Sequence, residues 1–65
     1  MRKPRNVKQA FESGYIVTKI YSKNSSRIRV TMKERFHVAD RVMLIDFWID
    51  RDYFKRTYPR VYESF

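Results

Sequence analysis

The 65-residue chain has no cysteine, a single glycine, two prolines, a single histidine and only seven acidic residues. Each shortage removes something. Without cysteine there is neither a disulfide nor a thiolate metal site to brace a short domain. One glycine cannot furnish a Gly-rich phosphate loop. Lone His37 has no further His or carboxylate at ligand spacing, so no metal and no other cofactor is expected. Scarce Gly and Pro also argue against a linker or low-complexity chain. The longest apolar run, Val42 to Ile45, is far shorter than the roughly 20 residues that span a bilayer. No apolar stretch succeeds the basic N-terminus, as a secretory signal would need. The expectation is a cytoplasmic or nucleoid-associated protein, not secreted and without a membrane partner.

What the chain does have is aromatic bulk and positive charge. Five Tyr, five Phe and Trp48 supply burial area to a domain too small to be stable by more than a thin margin. A homodimer that shares one core is the other route to stability. The net charge is +8, and it is unevenly placed. Residues 1–39 carry ten Lys and Arg against Glu12 and Glu34, while residues 40–65 balance five against five. All the excess lies in the first part of the chain, which points to a polyanion partner, nucleic acid ahead of an anionic membrane.

Within that basic part, residues 27–38 alternate almost without fault. Ile28, Val30, Met32, Phe36 and Val38 fall on one parity, interrupted only by Glu34; Arg27, Arg29, Thr31, Lys33, Arg35 and His37 fall on the other. Side chains of a strand point alternately to its two faces, so one face is oily and the other cationic, with successive cations about 6–7 Å apart.

Around this strand the remaining elements read off in order. Residues 1–5 form a flexible basic arm ahead of a single domain, 6–65. Asn6 caps a short helix with Gln9 placed for a capping box, and Gly14 ends it. Tyr15–Ser22 reads as a first strand, Lys23 to Ser26 as a turn, Arg27–His37 as the second strand, Ala39-Asp40 as another turn and Arg41–Ile49 as the third strand. Asp50 caps a helix from Arg51 to about Tyr58, stopped by Pro59, with residues 60–65 as a tail. The expected fold is α+β: an N-terminal helix, a three-stranded antiparallel meander and a C-terminal helix on one face of the sheet.

Register comes from matching faces. Pairing Phe36 with Met43 sets Met32 against Phe47 and Val30 against Ile49, and brings Lys33 to Asp46 and Arg29 to Asp50. Pairing Tyr21 with Arg27 puts Ile16 and Ile20 on the oily face and leaves Lys19 outside between Tyr15 and Tyr21. The outer face would then carry Tyr15, Lys19, Tyr21, Arg27, Arg29, Thr31, Lys33, Arg35 and Trp48. Cations that hold phosphates and rings that stack on bases suit a nucleic-acid surface, aided by Arg2, Lys3 and Arg5 of the arm.

Plainer readings stand beside this one. The cationic face could be an ordinary solvated face, partly neutralised by Asp46 and Asp50, and Trp48 could lie beneath a helix or in a dimer interface. Tyr53, Phe54, Tyr58 and Tyr62 suit core packing, or a sticky protein-binding edge. His37 with Arg35 and Tyr15 could be drawn as a minimal RNA-cleaving set, but so short a chain leaves little room for a cleft, and a non-enzyme is expected. The leading reading is a small basic nucleic-acid-binding protein, DNA before RNA, acting as a regulatory or accessory factor through the cationic face of the second strand and the basic arm. The alternative is an adaptor or inhibitor that binds an acidic surface of a larger protein.

Overall fold

The computed structural model of the chain describes residues 3–35 and 43–65. Asn6 is extended and accepts a hydrogen bond from the Gln9 amide at 2.8 Å, which starts α1 (Val7–Glu12). The Gln9 side chain reaches back one residue further than in a capping box, to the Arg5 amide at 2.9 Å. Gly14, at φ 87, takes the left-handed conformation that ends the helix, as expected. Next come three strands, β1 (Tyr15–Tyr21), β2 (Arg27–Glu34) and β3 (Leu44–Asp50), then α2 (Arg51–Thr57) and α3 (Pro59–Ser64). The strands form one antiparallel sheet in the order β1-β2-β3, the expected meander.

The expected C-terminal helix is present, and a further helix, α3, takes the place of the expected tail. Asp50 caps α2 by accepting the Tyr53 amide at 2.9 Å, and Asp52 and the pair Lys55 and Arg56 suit the two ends of its dipole. Pro59 ends α2 and also opens α3 at its first position, where a missing amide and a fixed φ cost nothing. Tyr62 then ties α3 to the first hairpin: its hydroxyl donates to the Lys23 carbonyl at 3.2 Å, and the Lys23 ammonium lies over its ring.

One cluster holds the fold together. Ile20, Ile28, Val30, Met32 and Phe47 come from the sheet, Val7 and Ala10 from α1, and Phe54 from α2. Short helices are unstable alone, so it is this burial on the sheet that keeps them helical. Phe11 packs on Tyr58 at 4.6 Å between ring centroids, and Phe54 on Tyr58 at 5.3 Å, which extends the core toward the C-terminus. The aromatic series is thus mainly core, with Tyr53 left exposed.

Both registers differ from expectation, for different reasons. In the second hairpin Arg27 faces Asp50, Arg29 faces Trp48, Met32 faces Ile45 and Lys33 faces Leu44. This is a shift of two residues, which keeps every side chain on its expected face. Apolar pairs match in either register, so only the surface charges could have decided, and exposed ion pairs are worth at most about 1 kcal/mol. The expected partner Phe36, and the turn at Ala39-Asp40, lie outside the described residues. So does His37, while Arg35 already stands beyond the end of β2.

In the first hairpin Tyr21 faces Arg29 instead of Arg27, and a β-bulge lies between Val17 and Lys19. The bulge sends the start of β1 to the opposite face. Tyr15, expected outside, is 8% exposed within the core cluster, and Ile16, expected inside, is 37% exposed on the outer face. Thr18, the extra residue, donates its hydroxyl to the Thr31 carbonyl at 3.1 Å. Straight pairing would have placed Thr18 in the core and Val17 outside. Bulged pairing buries Tyr15, Val17 and Ile20 together.

Glu34, the one break in the apolar parity of β2, accepts the Tyr15 hydroxyl at 3.2 Å. Burial, reinforced by the Glu34 carboxylate, pushes the Tyr15 pKa above 10.0. Tyr58 is raised as well, by burial and then by Tyr53 and Glu12. A raised pKa in the folded state contributes stability that is fully present below the unfolded value, about 10, and is lost as pH rises through the folded one. Tyr15→Phe should therefore flatten the alkaline fall in stability without abolishing it, because Tyr58 still titrates. Urea midpoints at pH 8 and pH 11 check this, and an unchanged difference between them would refute it.

Candidate functional site

The helices flank the sheet in sequence, and those that reach its core do so on the face that carries Val30. The other face is open except at its centre, where Thr31 is 9% exposed, and strand pairing arranges its side chains in cross-strand rows. One row is Tyr21, Arg29 and Trp48; the next is Lys19, Thr31 and Asp46; the next is Ile16, Lys33 and Leu44. Arg27 and Asp50 close one end. Neighbours in a row are about 5 Å apart and rows about 6–7 Å apart, so the set covers an area of side chains fixed by backbone pairing and not by loops.

The Tyr21 row is the most specialised. The Arg29 guanidinium carbon lies 4.1 Å from the Tyr21 ring centroid, and the Lys19 ammonium lies 4.7 Å from the same ring. Attraction of cations to a ring of this kind is worth about 0.5–1 kcal/mol at exposed sites. Two long, flexible cations are thereby held near one point. Arg29 Nε is shielded from solvent and, among the described residues, has no hydrogen-bond acceptor. On the other side of Arg29, Trp48 is 59% exposed, and no described ring or cation covers it. It lies neither beneath a helix nor in the core.

The two carboxylates on this face, Asp46 and Asp50, make hydrogen bonds and, among the described residues, no ion pair with its cations. Asp46 accepts the Thr31 hydroxyl at 2.5 Å, and Asp50 caps α2. Neither forms an ion pair with Lys33 or Arg29, contrary to expectation, because the register sets those cations against Leu44 and Trp48. Among the described residues the one ion pair joins Arg51 and Asp52 on α2, at 3.4 Å.

Of the residues singled out from the sequence, Arg27, Arg29, Lys33, Lys19, Tyr21 and Trp48 come together on the open face. Tyr15 does not: it belongs to the opposite, buried face. Arg35 sits past the end of β2, with its amide donating to the Gly14 carbonyl at 3.2 Å. Lys3 and Arg5 are exposed and lead into α1, with Pro4 between them buried. Arg2 lies outside the described residues. A set of three or more His, Cys, Asp or Glu side chains able to hold a metal is absent among the described residues, and no described helix is long and apolar enough to cross a membrane.

Two members of the face were missed in the sequence. Ile16 and Leu44, the latter 61% exposed, flank Lys33 and add aliphatic surface to the row farthest from Arg27. Leu44 was legible, since it shares the parity of Trp48; Ile16 needed the bulge. A shallow, mostly apolar concavity also lies along the β1 edge, with Phe11, Val17 and Phe65 in its lining and the Arg35 and Arg60 side chains beside them. It gathers no convergent set of hydrogen-bonding groups that would mark a reaction site. Comparison of the chain with known protein families, with curated proteins and with solved structures finds no match.

Proposed function

We propose that this protein binds nucleic acid, DNA before RNA, through the open face of its sheet, as a small regulatory or accessory factor. The observation that carries the reading is the Tyr21, Arg29 and Trp48 row, continued by Lys19, Lys33 and Arg27, with neither facing carboxylate ion-paired to those cations. Cations in a fixed array neutralise phosphates and release counterions. Exposed rings offer contact to bases whatever their sequence.

A second reading, an adaptor docking on an acidic protein surface, draws on the same cations together with exposed Leu44 and Met43. Titration of labelled oligonucleotides at 50 and 200 mM salt separates the two. Four cations, Arg27, Arg29, Lys33 and Lys19, predict a fall in affinity of roughly 50- to 150-fold over that range, from about 0.7–0.9 released counterions per contact. Absence of binding even at the lower salt would end the nucleic-acid reading and leave the adaptor.

A further inference from the structure

Resting on the nucleic-acid reading above, we infer that the ligand is single-stranded, with one base stacked on Trp48 while Tyr21 acts as a clamp that positions Lys19 and Arg29 for the backbone. Three features of the face support the single strand over the duplex. The first is the unequal use of its two aromatic rings. Tyr21 is half-buried and carries two cations at 4.1 and 4.7 Å, whereas Trp48, directly across Arg29, is exposed and uncovered among the described residues. A duplex hides the flat faces of its bases in its own stack and presents only their edges. An exposed indole therefore gains most from a base that is already unstacked.

The second feature is the shortage of neutral groups that read base edges. The rows contain no Asn or Gln, and their one hydroxyl outside the tyrosine, that of Thr31, donates to Asp46. Edge-reading in a major groove would rest here on Arg and Lys alone, which can pair with guanine but serve the backbone of a single strand equally well. The third is aliphatic. Ile16 and Leu44 on either side of Lys33 would meet charged phosphates on a duplex surface, but would pack against the apolar faces of splayed bases.

Arg29 links the two roles. Its guanidinium is held by Tyr21 on one side, at 4.1 Å, and Arg29 pairs across the sheet with Trp48 on the other. A phosphate of a strand whose base lies on Trp48 therefore comes close to a cation that is already positioned. Tyr21 is in this sense a positioning residue, and its removal should weaken phosphate contacts while leaving the stacking intact.

The test compares one labelled 20-nucleotide DNA strand of mixed sequence with the duplex of the same sequence, at matched salt, against the full chain and three variants. The parent should bind the single strand at least about tenfold tighter. Trp48→Ala should lower single-strand affinity on the order of tenfold, the range for loss of one stacked base, with little change for the duplex, and Trp48→Phe should recover most of the loss. Tyr21→Leu should lower affinity and also reduce the salt slope, which a purely structural loss would not do. Equal affinity of the parent for both forms, or a Trp48→Ala effect equal on both, overturns the inference while nucleic-acid binding stands. Failure of the parent to bind either form overturns the reading on which it rests. Circular-dichroism melts of each variant guard against misfolding, to which Trp48→Ala is least exposed because the ring lies outside the core.

Discussion

Phe54→Ala should leave most of the protein unfolded at 25 °C. Phe54 is 0% exposed and is the one fully buried side chain that α2 contributes to the core. Truncating a buried Phe costs about 3–5 kcal/mol, part lost transfer energy and part cavity. At about 0.05–0.15 kcal/mol per residue, a chain of this length has only about 3–10 kcal/mol to lose, and small domains tend to the lower end. The loss also propagates. Tyr58 rests on Phe54, and Phe11 of α1 rests on Tyr58, so both ends of the chain lose a contact. Urea unfolding tracked by far-ultraviolet circular dichroism gives the answer. A cooperative transition with a midpoint close to the parent's would mean that α2 is not essential to the core. Phe54→Leu, which keeps more of the volume, should be distinctly milder.

Arg29→Glu/Lys33→Glu should abolish oligonucleotide binding without unfolding the sheet. Each reversal changes the charge by two, so the net charge falls from +8 to about +4. That alone is no proof of a site, since any basic protein binds nucleic acid less well when its charge is lowered. The matched control is Lys55→Glu/Arg56→Glu, with the same change in net charge on exposed residues of α2. The first variant should lose on the order of 100-fold or more at 50 mM salt, and its log–log salt slope should shrink by about 1.4–1.8, the share of two phosphate contacts. The control should stay within a few-fold of the parent. Equal losses in the two variants would reduce the open face to a bystander of net charge. Neither Arg29 nor Lys33 sits in an ion pair among the described residues, and both are only half-buried, so the melting temperature should shift by no more than a few degrees.

The parts of the fold that were legible in the sequence are those decided by short-range chemistry. Asn6 and Gly14 bracket α1 because a side-chain cap and a left-handed residue are local requirements. Asp50 and Asp52 mark the start of α2 for the same reason. The cationic face of β2 was legible because a strand turns its side chains over every two residues, whichever partner it pairs with. Pairing itself was not. The β2–β3 register differs by two residues because Val30 is as well matched to Phe47 as to Ile49, so apolar alternation is blind to such a shift.

The bulge had a signal that strict alternation overrides. The residues of β1 that turn inward are Tyr15, Val17 and Ile20, spaced by two and then by three. A gap of three within an otherwise two-fold pattern is what one extra residue produces, and Thr18 fills it with a hydroxyl that can satisfy a carbonyl. The helix after Pro59 was hidden by the dual nature of proline, which ends one helix and suits the first turn of the next. For the candidate site the consequences are specific: the bulge turns Tyr15 inward and Ile16 outward, and the shift of two residues sets Asp46 opposite Thr31 and Asp50 opposite Arg27.

The meander order of the sheet bears on the time course of assembly. Each strand pairs only with strands adjacent to it in the chain, so no crossover has to be in place before pairing can begin. Loop closure over short separations costs little entropy, and chains rich in such contacts cross the folding barrier quickly. For a protein with a small reserve of stability, speed matters as much as depth. Opening of the sheet adds the inner edges of β1 and β3 and both edges of β2 to the two outer edges already unpaired, and such edges seed pairing between molecules. A chain that closes again quickly gives a neighbouring copy little time to dock on the edges that opening adds.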